Sequence, residues 1–163
     1  MNKSEISPII APPIIGTLNE GSLHASLKQF IAQPGDEFEV PINGFVIDIV
    51  REKKQGKTLV EIQTASFASM KKKLSNLLHE FPMRIIYPVA VEVFLVKPDK
   101  KSRKSPKKGD EFSIFEELVS IPEFISNPNL SFDAVYVTVR KIQKYDPSMR
   151  RNRGGYRTVN TEL

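Results

Sequence analysis

The feature that most constrains this chain is a pair of apolar segments, each interrupted by one carboxylate. Gly44 to Val50 (GFVIDIV) and Thr58 to Gln63 (TLVEIQ) are rich in β-branched residues and read as strands. The segment between them, Arg51 to Lys57, is short and contains Gly56, so the strands are expected to pair as an antiparallel hairpin. Side chains alternate along a strand, which predicts Asp48 on a face with Val46 and Val50, and Glu61 on a face with Leu59 and Gln63. Where these faces coincide, two carboxylates and a carboxamide converge. Two ionised carboxylates in a half-buried place repel, and each pKa rises unless a cation neutralises them. An all-oxygen donor set of this kind suits Mg²⁺ or Mn²⁺ better than Zn²⁺.

Around the hairpin the periodicity changes from two to 3.6. Asn19 reads as an N-cap, followed by Leu23, Leu27, Phe30 and Ile31 at helical spacing up to Pro34-Gly35. Glu20 falls in the first turn of that helix, where a carboxylate complements the helix dipole or, with the two strand acids, serves the site. His24 lies on the same side and reads as a satisfied histidine rather than a ligand. Phe38 to Pro41 predicts a short strand before the turn at Asn43-Gly44. After the hairpin, Phe67, Met70, Leu74, Leu77, Leu78 and Phe81 trace an amphipathic helix ending before Pro82, with Lys71, Lys72 and Lys73 on its other face. Arg84 to Tyr87 and Val89 to Val96 predict β structure broken near Pro88. Phe112 to Val119 predicts a helix with Phe112, Phe115 and Leu118 or Val119 inward, a shorter one runs through Pro122 to Ile125, and Val135 to Val139 reads as a strand.

The expected organisation is an extended arm at 1–16, one domain at 17–145, and a basic tail at 146–163 with a short strand at Tyr156 to Val159. Within the domain, 17–96 forms the core, 97–110 a mobile basic loop without hydrophobic anchors, and 111–145 a helix and strand. The fold class implied is α/β (α+β), a sandwich with a mixed central sheet flanked by helices. A length of 163 residues, 40% of them hydrophobic and 26% charged, suits one globular domain with a real core.

Charge says more than composition. Seven Lys or Arg lie between Lys97 and Lys108 and seven between Arg140 and Arg157, together fourteen of the twenty-four. Such clustering marks either solvated loops and a tail or a polyanionic partner, nucleic acid before membrane. Lys71, Lys72, Lys73, Lys104, Lys107, Lys108, Arg150, Arg151 and Arg153 are the candidate contacts. The absence of cysteine excludes disulfides and thiolate zinc sites, and two histidines are too few for a histidine cage. No apolar run is long enough to span a bilayer and the first residues do not form a leader pattern, so a cytoplasmic location is expected. Gly56-Lys57-Thr58 lacks the upstream glycine of a phosphate-binding loop and enters a strand instead of a helix.

A helix with an early Glu, a hairpin with Asp48 on one strand and Glu61-x-Gln63 on the next, then a helix and a strand: this order resembles the PD-(D/E)XK nuclease superfamily, the restriction-endonuclease-like fold, over about residues 17–96. The resemblance matches Asp48, Glu61, Gln63 and Glu20 to the family's first acid, second acid, lysine position and helix-one acid. Ile47 stands at the name-giving proline position, and Gln63 replaces the usual lysine. The resemblance implies Mg²⁺- or Mn²⁺-dependent hydrolysis of DNA, with Asp48, Glu61, Glu20 and the backbone carbonyl of Ile62 as metal ligands. A carboxamide orients but supplies no charge, so Lys71, Lys72 or Lys73 from the next helix is either the missing cation or part of a solvated face. Double-strand cleavage further implies a homodimer, and so short a chain implies a larger system that supplies targeting. Two other readings stand beside this one: an inactive module of the same fold that binds nucleic acid or a protein, and a structural domain in which Asp48 and Glu61 pair with arginines such as Arg51 or Arg84.

Overall fold

The computed structural model describes residues 21–54, 56–64, 66–98, 100–110, 112–149 and 155–163. The expected arm at 1–16, the cap Asn19, Glu20, Arg150, Arg151 and Arg153 lie outside these residues. The described chain is a mixed α/β structure: helix α1 (Ser22–Ile31), strands β1 (Glu37–Ile42), β2 (Phe45–Lys53) and β3 (Gly56–Ile62), a 3-10 turn at Phe67–Met70 running into α2 (Lys71–Leu77), β4 (Met83–Lys97), β5 (Lys100–Lys104), α3 (Ser113–Leu118), β6 (Leu130–Tyr145) and β7 (Tyr156–Glu162). One seven-stranded sheet runs in the order β1-β2-β3-β4-β6-β7, with β5 attached to the end of β4. β1, β2 and β3 are antiparallel neighbours, β4 is parallel to both β3 and β6, and β7 returns antiparallel to β6.

Local chemistry explains the meander. Asn43 and Gly44 both have positive φ, 48° and 81°, as a two-residue turn between right-twisted strands requires. The β2–β3 ladder extends to Lys53 opposite Gly56, which also has positive φ, so the turn is tighter than the seven residues expected from sequence.

Two cores sandwich the sheet. On one side Phe67, Met70, Leu74, Leu77 and Leu78 of the α2 segment pack on Ile47, Leu59, Met83 and Ile85, and Ser66 caps the segment by accepting from Ala68 N–H. On the other side Leu27 of α1 meets Ile49, Val60, Ile62, Ile86, Val137 and Val139. Burial of these faces, at about 25 cal/mol per Å² of apolar surface, drives the association of helices with sheet.

Several expectations need correction. Residues 100–104 of the expected loop form β5, which pairs with Phe94 to Lys97 although all five of its residues are exposed. Backbone pairing and the Lys104–Glu92 ion pair attach it, and no side-chain pattern announces such a strand. Pro88 does not break β4: it lies where β4 has left β3 at Ile86 and not yet met β5 at Phe94, so its missing N–H is tolerated. Phe30 is 74% exposed, and Phe112, Phe115 and Val119 are exposed while Ile114 and Leu118 pack on the core, so of the residues expected inward along α3 Leu118 is inward and the two phenylalanines are not. Pro122 to Ile125 forms turns, not a helix.

An ion pair fixes α1 against the hairpin. Arg51 donates from Nε and Nη2 to both oxygens of Asp36 at 2.8 and 2.7 Å, and from Nη2 to the Ile31 carbonyl at the end of α1. Both side chains are nearly inaccessible to solvent. Arg84 pairs with Asp133, so neither Arg51 nor Arg84 serves Asp48 or Glu61. The Arg51 hydrogen bond holds the Asp36 pKa below the ordinary carboxylate value. Its stabilisation is therefore in place above about pH 4 and is lost as acid protonates the folded form. Asp36→Ala should cost about 3 kcal/mol at neutral pH, measured by urea unfolding, because it leaves a buried guanidinium unpaired, and the deficit should shrink in acid.

Candidate active site

Asp48 and Glu61 do converge, by a route that strict alternation does not predict. Ile47 packs in the α2-side core and Ile49 in the α1-side core, although two residues apart they would share a face on a regular strand. The partner strand changes face at the same level: Val40, opposite Ile47, packs on the α2 side, and Glu39, between Val40 and Phe38, has φ 54°. Asp48 sits at this switch. Val46 is half exposed and Val50 is fully buried, so the face expected for Val46, Asp48 and Val50 does not exist as one surface.

The β2–β3 register runs to Ile49 opposite Val60, and beyond it the acids take over the backbone's bonding. The Asp48 carboxylate accepts from Ile62 N–H at 2.8 Å, and Glu61 accepts a backbone hydrogen bond from Asp48. Each carboxylate also faces a helix of its own. Asp48 is 3.1 Å from His24 Nε2 and 3.7 Å from Lys28 Nζ, both on α1, and Lys28 also bonds to Glu39. Glu61 accepts from Lys73 Nζ of α2 at 2.8 Å, and the same ammonium donates to the Val46 carbonyl at 2.9 Å.

The two pKa values move apart. Burial pushes Asp48 up, but hydrogen bonds from His24 and Ile62 N–H and the charges of His24 and Lys28 outweigh it, leaving the group below its ordinary value. Burial, then the negative charge of Asp48, pushes Glu61 up, and the Lys73 bond only partly opposes this. One acid is held ionised while its neighbour is eased toward the protonated form.

The remaining candidates separate into those the fold gathers and those it does not. Gln63 is close in sequence to the pair, but its amide donates to the Ser66 carbonyl at 2.8 Å and to Ser69 Oγ at 3.0 Å, securing the turn into α2. Ile62 joins the site through its N–H. Lys71 forms an exposed pair with Glu123, Lys72 is exposed, and Lys73 alone of the three is drawn to the acids, its side chain 20% exposed. Lys104 pairs with Glu92 on the far part of β4, while Lys107 and Lys108 lie exposed in the segment after β5, none of them beside the acid pair. Among the described residues no three His, Cys, Asp or Glu side chains form a cluster of metal-ligand type. Lys28, buried on α1, was missed by the sequence reading. Its signal was available in the spacing of His24 and Lys28, four apart on the side of α1 that carries Leu23, Leu27 and Ile31.

A family model described as "Domain of unknown function (DUF8091)" matches residues 21–163. The chain belongs to this family. An uncharacterized protein of Treponema pallidum (strain Nichols) is 29% identical over 148 residues, which is 88% of this chain and 57% of that protein. The chain thus spans little more than half the length of this relative. No solved structure matches.

Because the folded form of Glu61 holds its proton more tightly than the unfolded chain, ionising it destabilises the fold progressively as pH rises above about 4.5. Glu61→Gln, which imitates the protonated acid, should therefore gain thermal stability over the parent as pH is raised from about 4 to about 8. A difference in Tm that does not vary with pH would contradict the raised pKa.

Proposed function

We propose that this domain is a metal-dependent phosphodiesterase, endonuclease-like and acting on DNA, with Asp48 and Glu61 as its two acids and Lys73 as its cation. The observation that carries the reading is Lys73 Nζ at 2.8 Å from Glu61. The positive charge absent at Gln63 is supplied from the following helix, at the side of the second acid. The order of helix, three-stranded meander, helix and parallel strand further supports the resemblance to the PD-(D/E)XK nucleases.

The donor set fits a hard divalent cation. Its side-chain donors are carboxylate oxygens, the two acids repel each other, and Mg²⁺ commonly binds through one or two carboxylates while keeping several waters. Asp48 and Glu61 would hold the ion, which when bound activates water and neutralises charge on the phosphate. Asp48 stays ionised through His24, Lys28 and the Ile62 N–H, so it is ready as a ligand at neutral pH. Lys73 holds an ammonium beside Glu61 where charge builds on a bound phosphate. Glu20 and the Ile62 carbonyl complete the proposed ligand set. A cytoplasmic setting, a homodimer for double-strand cleavage, and a larger system that supplies targeting belong to the same proposal.

One observation favours a second reading, an inactive module binding nucleic acid or a protein partner. Each acid already faces a cation of the protein, Lys28 for Asp48 and Lys73 for Glu61, which is also how a purely structural ion-pair network is built. Incubation with a panel of DNA and RNA substrates in Mg²⁺ or Mn²⁺ separates the two. The phosphodiesterase reading expects cleavage that drops at least ~100-fold in Asp48→Asn and Glu61→Gln and ~10- to 100-fold in Lys73→Met, with unchanged circular dichroism. Absence of cleavage of every substrate, with binding indifferent to these substitutions, supports the inactive module. Titration calorimetry adds a linked check. Since Glu61 must lose a proton to act as a ligand, Mn²⁺ binding should release protons below neutral pH, seen as a heat that depends on the buffer's ionisation enthalpy and is lost in Glu61→Gln.

A further inference from the structure

β4 does not end at the acid pair. Ile85 lies opposite Glu61, and the strand continues to Leu95, opposite Arg103, and to Lys97, opposite Lys100. There the sheet is four strands wide, in the order β5-β4-β6-β7. This end carries Lys97, Lys100, Lys101, Arg103 and Lys104 on β4 and β5, with Arg140, Lys141, Lys144 and Arg157 on β6 and β7. Among the described residues, only Lys104, with Glu92, and Arg157, with Asp146, have carboxylate partners in this set.

The excess positive charge gathers at one point. Lys97 Nζ stands 3.6 Å from the centroid of the Tyr156 ring and Lys100 Nζ 5.8 Å from it. Tyr145 meets Tyr156 edge-on at 5.6 Å. Desolvation, then the charges of Lys100 and Arg103, lowers the Lys97 pKa. The backbone is shaped for this arrangement. Gly155 has φ 78°, and a Cβ there would lie 2.6 Å from Tyr145 Cε2, so the ring pair occupies space that only glycine leaves open. Crowded like charges destabilise a fold unless an anion is set between them, and among the described residues none of Lys97, Lys100 and Arg103 has a carboxylate partner, so the cluster fits an external anionic partner.

Spacing selects the partner. From Ile85, beside Glu61, to Leu95, beside Arg103, is ten residues, or about 33 Å of strand at ~3.3 Å per residue. One turn of B-form duplex spans about 34 to 36 Å. Between the two points lies a cleft lined by His24, Thr64, Pro88, Lys141, Thr158 and Asn160, and His24 is the residue that touches Asp48. We infer that Lys97 and Lys100 at Tyr156, with Arg103 beside them on β5, bind the phosphate backbone of a nucleic-acid duplex within about one helical turn of the Asp48–Glu61 pair. The position of the reacting phosphate rests on the proposed function. Binding by the basic cluster does not.

The test measures binding in the Glu61→Gln background, so cleavage plays no part. A labelled duplex of about 20 base pairs, one of about 8, and a single strand of the longer length are titrated at several salt concentrations, bracketing the ~10.5 base pairs of one turn. Lys100→Gln with Arg103→Gln, both at exposed positions, should weaken binding of the long duplex about tenfold or more and reduce the salt slope by about 2, at ~0.9 per lost phosphate contact. The short duplex should bind weakly and lose little. Lys53→Gln with Lys54→Gln, which removes the same charge at the β2–β3 turn, should leave affinity for the long duplex within about twofold. The inference is overturned by an unchanged salt slope in the Lys100/Arg103 variant, by equal loss in the Lys53/Lys54 control, or by a single strand that binds as tightly with the same dependence. Loss of salt slope together with no cleavage by the parent sustains this inference and rejects the phosphodiesterase. Cleavage with an unchanged salt slope does the reverse.

Discussion

The ladder between β4 and β6 is the interaction on which the remaining structure depends. It pairs Met83 through Val96 with Leu130 through Ile142, in parallel, with one irregularity between Ala90 and Glu92. Parallel strands bury both faces, and here α2 with its 3-10 turn covers one side and α1 the other. β3 attaches to the first part of β4, β5 to its last part, and β7 to the end of β6, so Glu61, beside Ile85, and the basic end lie at two stations along β4. Rigid strand geometry, not a loop, sets their separation.

At the first station the sheet gives up part of its own hydrogen bonding. Beyond Ile49 and Val60 the side chains of Asp48 and Glu61 accept from backbone N–H groups, and the strand turns its faces over at Asp48. The resulting opening is polar, lies between two apolar cores, and is reached from both helices: His24 and Lys28 from α1, Lys73 from α2. A buried carboxylate pair costs several kcal/mol unless cations and donors surround it. These three side chains supply that surrounding, and they set the two acids in different protonation tendencies instead of equalising them.

Much of the core was legible because burial repeats with the period of its element. Phe67, Met70, Leu74, Leu77 and Leu78 are all buried as their spacing implies, and Ile47, Ile49, Leu59 and Ile62 of the apolar hairpin are buried too, although Ile47 and Ile49 enter opposite cores. The misreadings share a physical cause. β5 is a strand whose five side chains are all exposed, Phe112 and Phe115 stack on each other in the open at 6.4 Å instead of entering the core, and Pro88 passes through a strand at a gap in its neighbours. None of these depends on a pattern local to the chain. The switch of faces at Asp48 was hidden for the same reason, since it requires Glu39 on the neighbouring strand to take a positive φ.

By itself the sequence determined that two strands would each carry a carboxylate where an apolar side chain belongs, that helices would flank them, and that positive charge would collect in two segments. Those properties follow from residue type and spacing, which act over a few residues. Tertiary structure decided which of three consecutive lysines reaches Glu61, that Gln63 turns to Ser66 and Ser69, and that Lys97 and Lys100 meet at Tyr156. Each of those outcomes depends on groups far apart in the chain, and a side chain's partner is fixed only when helix and sheet have packed.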